Sequence, residues 1–307
     1  MIKVQDVQYI RLAAPDLDKM ETFLTEFGMH RSARTDTALY MRGTDAEHTI
    51  HITELGEPAF LGMAFNAAST TDLDVISQLD GASEVLENDE PCGGQKVILS
   101  DPDGLKIEII QGITELEPIS VQDITPFNSG SRRRRVGPVV RSSPRPSQIK
   151  RLGHIVLRCG DFKGCDDFYR NTLGMLVSDY LYRGEADDPG ETAAEFLRCN
   201  RGDVYTDHHT ILVTDADEAG LGHVAYEVED WNDLSVGHWH MQGTEYQHNF
   251  GLGRHILGSQ LFDYWSDPWG NNHEHWTDGD LLNEDTSAGS YPLHTARDVQ
   301  WSPPRNN

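Results

Sequence analysis

Two stretches decide the fold: VQYIRLAAPDLDKMETFLTEFGM, residues 7–29, and LGHIVLRCGDFKGCDDFYRNTLGM, residues 152–175. They align with one single-residue adjustment. Each opens on a strand-like apolar run and reaches an aspartate, Asp16 or Asp161, placed to cap the N-terminus of an amphipathic helix. The correspondence continues downstream. FLGMAFNA, from Phe60, matches GLGHVAYEV, from Gly220, and LSDPDGLKIEII, from Leu99, matches WSDPWGNNHEHW, from Trp265. The Asp-Pro-x-Gly tetrapeptides at 101–104 and 267–270 are turn signals between strands. Each half therefore runs strand, helix, strands, and then the same again, which predicts an α+β chain of two repeated domains.

Between the repeats lies NSGSRRRRVGPVVRSSPRPSQ, residues 128–148. It is rich in Arg, Ser and Pro and has no period of either kind, as an exposed connection does. The predicted organisation is an N-terminal domain over 1–127, a linker over 128–150, a C-terminal domain over 151–285 and a tail over 286–307. Arg132–Arg135 reads as linker pairing with an acidic surface, not as a nucleic-acid patch, because the net charge of −25 repels polyanions. No apolar run is long enough to span a membrane. The first residues lack the basic and apolar regions of a secretion signal, so a cytoplasmic location is expected. Four scattered cysteines without CxxC spacing read as reduced thiols, mostly in the core.

The fourteen histidines crowd the second half. At three aligned places that half carries His154, His223 and Glu274, whereas the first carries Tyr9, Met63 and Glu108. Two imidazoles and one carboxylate form the facial triad of non-heme Fe(II) oxygenases, with coordination positions left open. Such a set leaves a net +1 centre suited to an anionic ligand. A lone histidine near a strand start is more often a satisfied core or surface residue; the equivalence of all three positions within the repeat is what joins them. The first half, lacking the two imidazoles, is expected to hold no metal.

The second half resembles the type I extradiol ring-cleaving dioxygenases of the vicinal oxygen chelate superfamily, most specifically over GLGRHILGSQLFDYWSDPWGNNHEHWTDGD, residues 251–280. The first half resembles their metal-free N-terminal domain. The resemblance implies paired βαβββ modules in each domain, and Fe(II) on His154, His223 and Glu274, with Mn(II) a substitute that the same ligands accept. It also implies a catecholic substrate, O2 as co-substrate, cleavage outside the diol, and a homo-oligomer. His209 matches the family's acid–base histidine, and His255 and Tyr264 match residues that hydrogen-bond the diol oxygens. His208 is the competing neighbour: alternation lets only one of two adjacent strand residues face the pocket, and the motif match favours His209. Phe250, Phe262, Trp265 and Trp269 are candidates to line an apolar pocket or to fill the core. His238 and His240 read as ordinary helix residues, and His248, His273 and His275 as surface residues or partners of a ligand.

Two other functions fit the scaffold. A metal-dependent isomerase, lyase or transferase of the glyoxalase kind does not need His209, His255 and Tyr264. A ligand-sequestering protein of the bleomycin-resistance kind needs neither metal nor acid.

Overall fold

A computed structural model describes residues 2–121 and 126–303. The first half forms an eight-stranded sheet from β1 (Val7–Ala14), β2 (His30–Arg34), β3 (Ala38–Arg42), β4 (His51–Leu55), β5 (Ala59–Asn66), β6 (Leu86–Glu87), β7 (Gln95–Ser100) and β8 (Lys106–Gln111), in the order β2-β3-β4-β1-β5-β8-β7-β6. Helices α1 (Leu17–Phe27) and α2 (Thr70–Ile76) each follow the first strand of a module. The second half repeats this with a longer sheet: β9 (Ile149–Cys159), β10 (Leu176–Glu185), β11 (Asp188–Arg198), β13 (Ile211–Asp215), β14 (Gly220–Val228), β15 (His248–His255), β16 (Leu261–Ser266) and β17 (Asn272–Thr277). The tail adds β19 (Gly289–Pro292) beside β10 and β20 (Val299–Trp301) beside β15. The short strands β12 (Thr206–Asp207) and β18 (Leu281–Leu282) pair separately. Helix α3 (Phe162–Asp167) continues into a π-turn over Phe168–Thr172, and α4 (Trp231–Met241) follows β14.

The caps form where the sequence places them. The Asp16 carboxylate accepts from the backbone N–H groups of Asp18 and Lys19 at 3.0 Å, and Asp161 accepts from that of Gly164 at 3.0 Å. Each satisfies donors that a helix start leaves orphaned. In both tetrapeptide turns the aspartate accepts from two backbone N–H groups further on, Asp101 from Asp103 and Leu105, Asp267 from Trp269 and Asn271.

The two halves pack reciprocally, each presenting its first helix to the other's Asp-Pro-x-Gly region. Phe27 of α1 stacks on His275 with centroids 3.6 Å apart, and the His275 ring donates to the Phe27 carbonyl at 2.7 Å. In return, Tyr169 donates to Asp101 at 2.9 Å, and Asp103 accepts from the N–H groups of Gly160 and Asp161. One buried apolar cluster runs through both halves, from Phe23 and Phe27 to Ile155 and Tyr226. At roughly 1.5–3 kcal/mol for each large side chain, burial of this seam is the main force joining them.

Register corrects one pairing read from the sequence. Tyr9 lies opposite Ala64 and Ala64 opposite Glu108, as His154 lies opposite Ala225 and Ala225 opposite Glu274. Along the same strands Arg11 faces Gly62, whereas Val156 faces His223. The counterpart of His223 is therefore Gly62. Met63 corresponds to Val224 and points into the core. Gly62 has φ +146, and a Cβ there would lie 2.2 Å from the Lys106 carbonyl oxygen, so no imidazole fits.

The linker is largely exposed and irregular. Its pairing with acidic groups falls to Arg145, which reaches Asp233 at 2.6 Å. Arg132–Arg135 make no ion pair among the described residues, contrary to expectation. All four cysteines are buried free thiols. No described helix is long and apolar enough to cross a membrane.

Candidate metal centre and its surroundings

The centre grows out of a single row of residues across the sheet. His154 on β9 lies opposite Ala225 on β14, which lies opposite Glu274 on β17, then Tyr264 on β16 and Phe250 on β15. Cross-strand partners share a face, so all five point to the inner side. His223 enters on the same face, two residues before Ala225. Ala225 is small, which lets the side chains of His154 and Glu274 meet across it.

They do meet. Glu274 Oε2 lies 3.1 Å from His154 Nε2 and 3.0 Å from His223 Nε2, and the two imidazole nitrogens are 3.4 Å apart. Glu274 and His154 are buried and His223 is partly open. Among the described residues Glu274 has no lysine or arginine partner, and its ion-pair neighbours are imidazoles. Burial pushes its carboxyl up, but the hydrogen bonds from His154 and His223 outweigh this and hold it well below the usual range. Burial also pushes His154 down, toward the neutral form that ligates. The second carboxylate oxygen, Oε1, is buried without a hydrogen bond. Converging imidazole nitrogens around an under-satisfied carboxylate form a donor set that fits a divalent cation.

Three further predicted residues lie around this set. His209 is buried with its ring centroid 4.1 Å from that of His154, and desolvation pushes it well below the ordinary histidine range. His255 Nε2 and the Tyr264 hydroxyl are 3.0 Å apart, and His255 is 3.9 Å from Glu274 Oε1. A cleft of about 880 Å³ opens over His223, His255 and Tyr264, walled by Val156, Leu181, Leu212, Phe250 and Leu293, while His209 is buried outside its lining. Leu293 and Ala296 belong to the tail, which packs on Leu181, Ala194 and Leu257 and closes one side.

Strand alternation sorts the remaining histidines. His273 and His275 flank Glu274, so both face outward; both are fully buried, against Phe23 and Phe27 of the first half. They join the two halves, so the surface alternative fails for both. His238 is more than an ordinary helix residue. With His248 it converges on Asp263, at 3.0 and 2.8 Å, and Trp265 donates to the same carboxylate at 2.6 Å. Three N–H donors satisfy Asp263 on the helix-covered face, which makes this a structural network. Of the four aromatics, Phe250 lines the cleft and Phe262 stacks behind His255 at 4.0 Å, while Trp265 and Trp269 pack in the core.

His208 and His209 precede β13 in a bend and are not strand residues. The alternation argument does not apply, and both rings are buried in contact, 3.1 Å apart at their Nδ1 atoms. Sequence reasoning set His208 aside in favour of His209 by treating the pair as strand residues, a premise the backbone here does not support.

The sequence model of the Glyoxalase/Bleomycin resistance protein/Dioxygenase superfamily matches residues 6–109 and 151–274. Metapyrocatechase 2 of Cupriavidus necator is 28% identical over 303 residues, covering 98% of this chain and 89% of its own length. The Mn(II)-bound glyoxalase of Novosphingobium aromaticivorans superposes with a TM-score of 0.78 at 21% identity, over 98% of this chain and 91% of that one. The 2,3-dioxygenase LapB of Pseudomonas sp. KL28 gives 0.76 at 17% identity, over 95% and 99%. At these identities the two structures share the fold and do not discriminate between activities.

Proposed function

This chain belongs to the Glyoxalase/Bleomycin resistance protein/Dioxygenase superfamily, and we propose that within it the chain is an extradiol ring-cleaving dioxygenase that opens a catechol with O2 at a single Fe(II). The observation that carries the reading is a His154–His223–Glu274 donor set with buried His209 packed against His154, and with His223, His255 and Tyr264 lining one largely apolar cleft. Metal chelation alone serves the glyoxalase-type rivals; the additional acid–base and hydroxyl groups serve a diol.

Fe(II) held there supplies electron exchange between a bound diolate and O2, at a centre whose protein ligands leave a net +1 charge. The chain's own residues do the rest. The Tyr264 hydroxyl and His255 lie beside Glu274 and can hydrogen-bond the diol oxygens, fixing the ring's orientation. Val156, Leu181, Leu212 and Leu293 exclude water from the ring. His209, buried and neutral, takes a proton from the reacting groups and returns it. The proposal extends to Mn(II) as a substitute metal and to a cytoplasmic homo-oligomer, which sedimentation of the pure protein would read.

The test is anaerobic loading with Fe(II), then oxygen uptake with a panel of catechols and product mass under ¹⁸O₂. A yellow ring-opened semialdehyde carrying both oxygen atoms is expected. A muconate from cleavage between the hydroxyls, or no uptake with any catechol, overturns the reading. His209→Asn should retain iron and slow turnover by about 10²–10⁴-fold, the usual worth of a positioned acid–base.

A further inference from the structure

We propose that Asp179 and His208 are positioning residues which, through a hydrogen-bonded chain Asp179–His208–His209, fix the tautomer of His209 so that its Nε2 lone pair is the atom presented to the reacting groups. This rests on the dioxygenase reading for its chemical purpose, but not for its geometry.

The chain is continuous and buried. Asp179 Oδ2 lies 2.8 Å from His208 Nε2, and His208 Nδ1 lies 3.1 Å from His209 Nδ1. Asp179, His208 and His209 are 7%, 5% and 4% exposed, so water does not compete for these bonds. An ionised carboxylate only accepts, so His208 must carry its proton on Nε2. With a single ring proton, His208 then offers a lone pair at Nδ1. His209 must answer with an N–H at Nδ1, which leaves its own Nε2 unprotonated. That atom has no hydrogen-bond partner among the described residues. The logic is that of a carboxylate that sets the tautomer of a catalytic imidazole, extended by one ring.

The surroundings hold the relay in place. Ser178 Oγ donates to the His208 carbonyl at 2.5 Å, and Arg198 donates to that same Oγ at 2.9 Å. The His208 N–H donates to the Asp280 carbonyl at 2.9 Å. The tail strand β19 pairs with β10 and sets Gly289 opposite Asp179. A Cβ on Gly289 would lie 2.2 Å from Asp179 Oδ1, so any other residue there would force the carboxylate to shift. Residues from four segments thus hold His208 and its carboxylate partner in place, although His208 touches neither substrate nor metal ligand in the proposed site.

Two measurements test the relay, both on the full chain. The first is independent of activity: long-range ¹H–¹⁵N correlation of the histidine rings, with diamagnetic Zn(II) in the centre and His209 assigned by its loss in His209→Asn. His209 should be protonated at Nδ1 in the wild type and become a tautomer mixture in Asp179→Leu. Protonation of wild-type His209 at Nε2 overturns the proposal. The second compares replacements of His208. Gln can donate to Asp179 and accept from His209, so His208→Gln should stay within about 10-fold of wild-type kcat, while His208→Leu falls by about 10²–10⁴-fold at unchanged KM and iron content. Equal kcat for the Gln and Leu variants overturns it as well. If His208→Leu does not fold, the wild-type tautomer still decides. Absence of oxygen uptake in the wild type would sink the dioxygenase reading alone and leave the tautomer measurement standing.

Discussion

The two halves present the same buried glutamate to opposite solutions of one electrostatic problem. Glu108 and Glu274 occupy equivalent register positions, and both are almost completely buried. An isolated carboxylate in such a place is too costly to keep ionised, so each needs a compensating cation. In the first half the cation is covalent. Arg11 reaches Glu108 at 3.2 Å, Glu90 at 2.6 Å and Glu54 at 2.7 Å, while Lys96 and Lys106 approach Glu108 at 3.4 and 3.5 Å. The Tyr9 hydroxyl, where the second half has His154, donates to Glu108 at 2.8 Å. Burial raises the Glu108 carboxyl, but Arg11 leads the charges that bring it below its ordinary value. In the second half Val156 stands where Arg11 would, and the neighbours of Glu274 are imidazoles. The difference teaches that the first half neutralises its carboxylate with fixed cationic side chains, while the second surrounds it with imidazoles, the arrangement that the proposed Fe(II) would complete.

The largest expected effect comes from the same substitution made in each half. Glu274→Gln removes the only anionic ligand and should abolish iron binding and ring cleavage together, as His154→Ala should. Glu108→Gln should leave iron at about one per chain and turnover unchanged. Iron content by metal analysis and oxygen uptake read both. Loss of iron in Glu108→Gln would mean the halves are not divided in this way, and so would two irons in the wild type.

A smaller effect, on stability alone, comes from Arg11→Met. The change leaves Glu54, Glu90 and Glu108 facing each other without their shared guanidinium. Breaking a buried pair by removing one partner costs about 3–5 kcal/mol, with Glu54 the most exposed and cheapest of the three to relieve. Chemical denaturation should show that loss, while iron content and kcat of the folded fraction stay at wild-type values. A stability change under about 1 kcal/mol would place the network among ordinary surface pairs.

Much of this comparison is legible in the sequence. The repeat, both caps, both turns and the convergence of His154, His223 and Glu274 follow from alignment and strand logic, because those features are local or fixed by periodicity. What escaped depends on register and on backbone outside regular strands. The Leu-Gly pair shared by LGM and LGH invites Met63 against His223, yet the strands pair one residue out of step with that match. A one-residue slip exchanges faces, placing Gly62 at the site and Met63 in the core. The choice of His209 over His208 leaned on strand alternation, which the bend before β13 does not have. His273 and His275 were ambiguous because their partners, Phe23 and Phe27, lie some 250 residues away in the chain, a separation that no local pattern bridges.

The smallest effect sharpens the comparison where the halves touch. His51 belongs to the first half, yet its ring bonds Tyr226 of the second at 2.7 Å and Thr53 at 3.0 Å. Burial, aided by the nearby His273, pushes its pKa down to about 3. The unfolded chain, with an ordinary value near 6.5, therefore binds this proton first. Between those two values the unfolded state holds more protons, so stability rises with pH. The contribution is complete above about pH 6.5 and is lost as pH falls below it, by roughly 1.4 kcal/mol per unit. At pH 5 this amounts to about 2 kcal/mol. His51→Gln has no proton to gain, so it should be less stable than wild type at pH 7.5, by about 1 kcal/mol for the altered hydrogen bonds, yet lose less on acidification. Urea denaturation at pH 7.5 and pH 5 gives both slopes. Equal pH dependence in the two proteins would show that His51 is not the group through which acid loosens the joint between the halves.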